Sequence, residues 1–70
     1  MIRKGTEVQW KWSSGIAKGK VKETYTTTIS KTIKGTVVTR NGEEGNKALY
    51  IIQSDGDYVL KSENEVERAQ

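Results

Sequence analysis

Three lysines at alternate positions are the residues whose type and spacing most clearly suggest chemistry. Lys18, Lys20 and Lys22 alternate with small or apolar residues. On a strand, their side chains would project from one face at intervals of roughly 6.6–7 Å, close to the separation of successive phosphates. A row of this kind binds a polyanion with an affinity that falls steeply as salt is added. The pattern predicts a site for nucleic acid or for a phosphorylated ligand such as a nucleotide. The further cations expected beside it are Lys11, Lys34 and Arg40. The alternative is an outer face that is only solvated.

Aromatic side chains are candidates for a stacking surface near these cations. Trp10 and Trp12 are two residues apart, so on a strand they share one face, and at least one is expected in the core. Trp12, Tyr25 and Tyr58 are the candidates for stacking on a base or surrounding a cation. The same aromatic and loop surface would also suit a module that captures an extended peptide or a partner domain. Both hypotheses remain open at this point.

Catalytic and metal-binding chemistry has little support in the composition. The chain has no His and no Cys, which removes ordinary zinc sites and imidazole or thiol catalysis near neutral pH. Its serines have no evident base partner, and no glycine-rich phosphate loop precedes a helix. Asp55-Gly56-Asp57 is too short for a calcium loop and indicates a turn. We therefore expect neither enzymatic activity nor a cofactor.

Charge is unevenly distributed along the 70 residues. The net charge is +3, yet residues 1–42 carry nine basic and only two acidic side chains, whereas residues 43–70 carry a net charge of −4. A small domain polarised in this way presents a basic face to an anionic partner. No segment has the pattern of a secretory signal or a membrane helix. The expectation is a cytoplasmic monomer that does not bind membranes.

Short strands joined by turns must position these side chains. Residues 8–12 alternate apolar and polar, Ser13-Ser14-Gly15 is a turn signal, and residues 17–22 alternate small residues with lysine. Small inward residues suit a tightly curved sheet, because glycine lets another backbone approach closely. Residues 24–39 hold seven of the eight threonines and several β-branched residues, which favours strand. The position of the turn within residues 24–32 is not defined, and Gly35 is expected at a bulge or bend.

The second half of the chain has clearer boundaries. Residues 40–46 indicate a charged loop, and residues 48–52 indicate a buried strand. Asp55-Gly56 predicts a hairpin leading into residues 58–60. Ser62 and Glu65 have the spacing of a capping box, which predicts a short helix over about residues 63–68.

Five short strands within about residues 5–61 predict an all-β fold in a single domain, 1–70. So few residues can curl into a small closed barrel, which also removes exposed strand edges. The predicted core comprises Val8, Trp10, Ala17, Val21, Ile33, Val37, Leu49, Ile51, Val59 and Leu60.

Several strings of this sequence resemble the hypervirulence-associated protein Tudor domain family, a group of small bacterial and fungal proteins of unknown function. They occur in the family's order between residues 2 and 68, at residues 8–12, 15–21, 33–36, 38–41 and 55–61, followed by Ser62, Glu65 and Val66. The resemblance implies a small five-stranded Tudor-like or SH3-like β-barrel and implies much less about activity. A weaker likeness, to the KOW motif of ribosomal and transcription-associated SH3-like barrels, supports the fold and hints at RNA. It covers Gly5, Val8, Gly15, Lys18, Gly19 and Val21.

Overall fold

The computed structural model describes residues 2–69, and within them it is an all-β fold as expected. The only helical element in this range is a 3₁₀ turn, Glu63–Glu65, and no helix there is long and apolar enough to cross a membrane. The strands are β1 (Glu7–Trp12), β2 (Gly15–Tyr25), β3 (Ile29–Ile33), β4 (Thr36–Arg40), β5 (Ala48–Gln53), β6 (Tyr58–Ser62) and β7 (Glu67–Arg68).

Five of the strands form one antiparallel sheet in the order β6-β5-β2-β1-β7. β2 and β5 are neighbours in this sheet, and Tyr25 at the end of β2 pairs with Ala48 at the start of β5. The residues between them, 26–47, contain β3 and β4, which pair only with each other. We call this two-stranded unit, Ile29–Arg40, the arm. The five-stranded sheet is therefore complete without the arm, which lies against β6.

The predicted closed barrel is wrong, because the sheets are open. Within residues 2–69, β6 and β7 form the two edges of the main sheet and do not pair with each other. The chain passes from one edge to the other through the 3₁₀ turn, which is shorter than the helix predicted over 63–68. The 3₁₀ turn ends because Val66 has an extended backbone (φ −133°, ψ 169°), and the next two residues pair with Val8 and Gln9 of β1. A two-residue strand is too short to complete a barrel wall.

The core lies on the inner face of the main sheet. Cross-strand pairing places Val8 opposite Gly19 and Val21 opposite Ile51, so the inward positions of three neighbouring strands meet. The predicted core is largely confirmed, with Ala17, Ile33 and Val59 only partly buried. The buried apolar residues are Ile2, Val8, Trp10, Val21, Ala48, Leu49, Ile51 and Leu60. Ala48 and Leu60 are buried but do not belong to the cluster formed by the other six. Burial of Ile2 was not predicted, whereas Ala48 lies in the segment predicted to be a buried strand.

Val37 is the one predicted core residue that the structure places in solvent, with 67% of its surface exposed. The reason is the register of the arm. Lys34 (φ 51°) and Gly35 (φ 79°) form a two-residue turn, and Val38 then pairs with Lys31, on the face that contacts the main sheet. Val37 consequently lies on the opposite, outward face with Thr32. Of the bulge or bend expected at Gly35, the structure shows a bend, which is the hairpin turn between β3 and β4.

Gly19 allows β2 and β5 to approach closely. A Cβ at this position would lie 2.8 Å from the carbonyl oxygen of Ile52 and 2.5 Å from a methyl carbon of Ile51. Both distances are shorter than van der Waals contact, and the Ile52 atom belongs to the backbone, which cannot rotate away. The expectation that glycine permits close approach in this segment is confirmed.

Replacing Gly19 with alanine should therefore destabilise the fold by about 2 kcal/mol, the cost typical of inserting a methyl group into a packed site. Gly15→Ala is the matched control, because the nearest atom to a Cβ there is Trp12 Nε1 at 3.9 Å. Urea unfolding followed by tryptophan fluorescence measures both variants. Equal stabilities for the two alanine variants would show that the close approach at Gly19 is not a constraint.

Candidate functional site

The β1–β2 hairpin extends beyond the strands on both sides of it. On one side, β7 pairs only with Val8 and Gln9; on the other, β5 pairs with β2 no further than Gly19. We call the segment from Trp10 to Lys18 the hairpin tip. Because this tip lacks neighbouring strands, two large apolar side chains, Trp12 and Ile16, are each 57% exposed. Large exposed apolar groups on a small domain are commonly found at interaction sites.

Two grooves meet at the open side of the hairpin tip. The larger, about 640 Å³, is lined by Trp12, Lys18, Lys34 and Asp57, with Trp10, Ile16, Ala17, Gln53, Ser54 and Asp55. The smaller, about 310 Å³, is lined by Glu7, Lys18, Gly19, Lys20, Ile52, Gln53 and Ser54. Lys18, Gln53 and Ser54 belong to both grooves. Trp12 shares the strand face of Trp10, whereas Lys18 and Lys20 lie on the opposite face, so the two grooves adjoin at the edge of β2 beside Lys18. We call the two adjoining grooves together the tip groove.

Lys18 and Lys20 project from the outer face of the sheet, as predicted. They pair with Gln9 and Glu7 of β1, whose side chains alternate with the buried Val8 and Trp10. Both lysines are exposed, and within residues 2–69 neither forms an ion pair. Their ammonium groups are thus available to a ligand.

Lys11 shares the outer face but lines a different groove. It borders a space of about 310 Å³ on the β7 side of β1, together with Glu65 and Glu67. Those carboxylates reduce the attraction of that groove for an anion. Lys11 is therefore near the tip groove without being part of it.

Lys22 does not continue the row of lysines. Val21 pairs with Ile51 and Glu23 pairs with Tyr50, so Lys22 is the additional residue of a β-bulge. A bulge breaks the alternation of side chains. Beyond it, Glu23 lies on the Tyr50 side of the sheet, and its carboxylate is 3.5 Å from Lys4 Nζ. The interpretation of 18, 20 and 22 as one row holds for the first two only.

Lys34 and Arg40 lie on the arm and are already paired with carboxylates. Lys34 Nζ is 2.8 Å from Asp57 Oδ2, and Arg40 Nε is 2.9 Å from Glu65 Oε1. Lys34 nevertheless lines the tip groove, whereas Arg40 does not. The hydrogen bond and the charge of Asp57 raise the pKa of Lys34 above its ordinary value.

Of the three candidate stacking rings, only Trp12 is open to a ligand. Tyr58 stacks on Tyr50 with ring centroids 4.7 Å apart. Lys31 of the arm places Nζ 4.8 Å from the Tyr50 ring centroid and 5.5 Å from that of Tyr25. These tyrosines therefore help to dock the arm through a cation–π contact. Neither Tyr25 nor Tyr58 lines the tip groove.

Glu65 connects the arm to the 3₁₀ turn. Its Oε1 accepts hydrogen bonds from the Ser62 N–H at 2.7 Å and from Arg40 Nε at 2.9 Å. Burial alone would raise the pKa of Glu65, but these two donors and the nearby positive charges outweigh it and lower the pKa below its ordinary value. The predicted relation between Ser62 and Glu65 is present in this reach-back contact.

The sequence did not single out several polar residues of the tip groove. Gln53 is the last residue of β5, Ser54 follows it and Asp57 precedes β6. The Asp57 N–H donates a hydrogen bond to Asp55 Oδ1 at 3.0 Å. Asp55-Gly56 did mark the turn that carries them. Their position beside Lys18 follows only once β5 is known to pair antiparallel with β2, which brings the end of β5 close to the start of β2.

No arrangement for metal chemistry occurs in the part of the chain that the structure describes. Among residues 2–69, no group of three or more acidic side chains is placed to hold a metal ion. The tip groove holds Lys18, Lys20 and Lys34, an exposed indole ring, the side chains of Gln53 and Ser54, and the carboxylates of Glu7, Asp55 and Asp57. Its lysines can bind an anion, and its indole ring can stack against another ring.

Comparison with known proteins identifies the family to which most of the chain is related. The model of the family described as "Hypervirulence associated proteins TUDOR domain" matches residues 5–66. No curated protein and no solved structure matches the chain significantly.

The Arg40–Glu65 contact predicts a pH-dependent part of the stability. Because the pKa of Glu65 is lowered in the folded state, its charge stabilises the fold fully above the ordinary value of 4.5. This contribution is lost as the pH falls through the lowered pKa. The free energy of unfolding of wild type should therefore be about 0.5 kcal/mol larger than that of Glu65→Gln near pH 6. This difference in stability should shrink below about pH 4.5.

Urea unfolding of wild type and Glu65→Gln between pH 2.5 and 7 measures this difference. Glu44→Gln is the control, since Glu44 is exposed and makes no ion pair within residues 2–69. A wild-type advantage over Glu65→Gln that is constant across the range, or that grows towards low pH, would contradict the assignment.

Proposed function

The chain belongs to the hypervirulence-associated protein Tudor domain family, and on that premise we propose that it is a non-catalytic binding module for single-stranded nucleic acid. The tip groove is the proposed site. Trp12 would stack on a base, and Lys18 and Lys20 would contact backbone phosphates. Lys11 would add to the positive potential of the same outer face.

The meeting of an exposed aromatic ring and exposed lysines around one end of the hairpin is the observation that supports the proposal. The exposed indole ring of Trp12 lines the larger groove and Lys20 lines the smaller one, while Lys18 lines both, and within residues 2–69 neither lysine forms an ion pair. The lysines are two residues apart on one strand face, so their side chains are separated by roughly the distance between successive phosphates. Base stacking on an aromatic ring and phosphate contacts along a basic groove are the two interactions that bind single strands without sequence preference.

The preference for a single strand over a duplex follows from Trp12. Its ring is open on a protruding hairpin, and it can stack only on a base that is not already paired within a duplex. A duplex would contact the lysines alone. We expect weaker and more strongly salt-dependent binding of duplex than of single-stranded oligonucleotides.

One observation favours a second candidate function, the capture of an extended peptide. The backbone carbonyl of Glu7 accepts a hydrogen bond from the Ala69 N–H at 2.9 Å, so it faces the β7 edge of β1. Backbone groups of alternate residues in a strand face the same side, so those of Lys11 also face this edge. β7 does not reach Lys11, since its pairing with β1 covers only Val8 and Gln9. A peptide could add a strand at this edge. The variants below separate the two functions, because only nucleic acid needs Lys18 and Lys20.

Binding of a labelled single-stranded oligonucleotide, followed by fluorescence anisotropy, tests the proposal. Trp12→Ala should weaken binding about five- to a hundredfold through lost stacking. Lys18→Gln with Lys20→Gln should also weaken it. This double variant should reduce the slope of log K against log salt by about 0.7 per lost phosphate contact.

Lys4→Gln with Lys47→Gln is the matched control, because it removes two positive charges that do not line the tip groove. It should change affinity much less than the Lys18/Lys20 double variant. Absence of binding by wild type at low salt would refute the nucleic-acid function, and so would equal effects of the two double variants. Peptide capture that requires Trp12 but not the lysines would favour the second candidate.

A further inference from the structure

The arm is held against the main sheet by three cations. Lys31 contacts the rings of Tyr50 and Tyr25, Arg40 pairs with Glu65, and Lys34 pairs with Asp57. Of these three, only Lys34 also lines the tip groove. Its ammonium group therefore pairs with a carboxylate of its own chain at the wall of the proposed site.

We propose that Lys34 is a masked phosphate contact and that Asp57 acts as an internal competitor for it. When a backbone phosphate occupies the tip groove, Lys34 Nζ exchanges the Asp57 carboxylate for the phosphate. The masked contact would be the third lysine of the site, beside Lys18 and Lys20. This inference rests on the function proposed above and adds to it how the site is regulated.

The ion pair is of a kind that a ligand can displace. The Lys34 side chain is 71% exposed and that of Asp57 39% exposed. Exposed pairs contribute little because water screens them and two flexible side chains must be ordered. A phosphate diester offers the ammonium an equally charged acceptor. Because its neighbouring phosphates bind Lys18 and Lys20, its local concentration beside Lys34 is high.

The backbone at Lys34 supports a role beyond joining two strands. Lys34 has φ 51°, in the left-handed region that a residue with a Cβ adopts at a cost, whereas Gly35 (φ 79°) adopts it freely. Glycine or asparagine would suit position 34 better. A lysine in this turn is therefore strained, and strain of this kind is typical of functional positions. Its effect here is to aim a long cationic side chain at Asp57 and the groove.

Masking has a direct consequence for affinity. A ligand that engages Lys34 must first break its contact with Asp57, so the observed affinity is lower than that of a site with Lys34 already free. Neutralising Asp57 should unmask the lysine and tighten binding. Asp55 provides a matched comparison, because it lines the same groove in the same turn but is not paired with Lys34.

The experiment compares Asp57→Asn with Asp55→Asn by anisotropy titration of the single-stranded oligonucleotide at low salt. Both variants remove one negative charge from the groove. Asp55→Asn retains the side-chain oxygen that accepts the Asp57 N–H. We expect Asp57→Asn to bind the oligonucleotide about three- to fivefold more tightly than wild type. For Asp55→Asn we expect a gain in affinity of less than about twofold. In the Lys34→Gln background the two substitutions should have equal effects.

The possible results separate this inference from the proposed function. If wild type binds and the two Asn variants tighten binding equally, or if their difference persists in Lys34→Gln, the masking by Asp57 is refuted and the binding function stands. If wild type does not bind at all, both are refuted. An independent readout is the side-chain NMR signals of Lys34 in wild type, which should shift at the same oligonucleotide concentration as those of Lys18. Lys34 signals that do not move would also overturn the inference.

Discussion

The close approach of β2 and β5 at Gly19 is the constraint on which the rest of the molecule depends. There is no room for a Cβ between this residue and the backbone of Ile52. The approach brings Val21 against Ile51, and these two side chains belong to the small core. It also fixes where β5 meets β2. Because that pairing stops at Gly19, the hairpin tip has no neighbour on this side and a groove opens beside Lys18. One glycine thus links the stability of the sheet to the exposure of its candidate site.

The basic half of the chain serves two purposes, which the fold separates in space. Lysines of the outer strand face, Lys18 and Lys20, stay free of ion pairs within residues 2–69, whereas Lys31 and Arg40 are used to dock the arm. A small domain with few apolar residues can attach a two-stranded arm in this way, because cation–π contacts and ion pairs supplement limited apolar burial. Lys34 stands between the two sets. Net charge alone therefore overstates the surface available to an anion.

The sequence predicted the local features better than the long-range ones. Alternation and turn signals correctly indicated β1, β2, β5 and the β5–β6 turn, because strand pattern and turn chemistry are encoded within a few residues. The bulge at Lys22 was missed, since it is defined only by the partner strand. Val37 was placed in the core because the turn at Lys34–Gly35, formed without an Asn-Gly or Asp-Gly pair, was not recognised. The prediction of a closed barrel was wrong for a similar reason. The last strand, β7, is too short to be predicted from its own residues. At the site, residue type identified Trp12, but only the tertiary structure shows which rings are already engaged.

An NMR titration of the isotopically labelled protein with a single-stranded oligonucleotide tests the central claim most directly. If the tip groove binds the strand, amide signals of residues 12–20 and of the turn at 53–57 should shift together at low salt. They should return towards their free positions as salt is added, because phosphate contacts are displaced by counterions. Shifts centred on the threonine-rich outer face of the arm, or no shifts at low salt, would contradict the account.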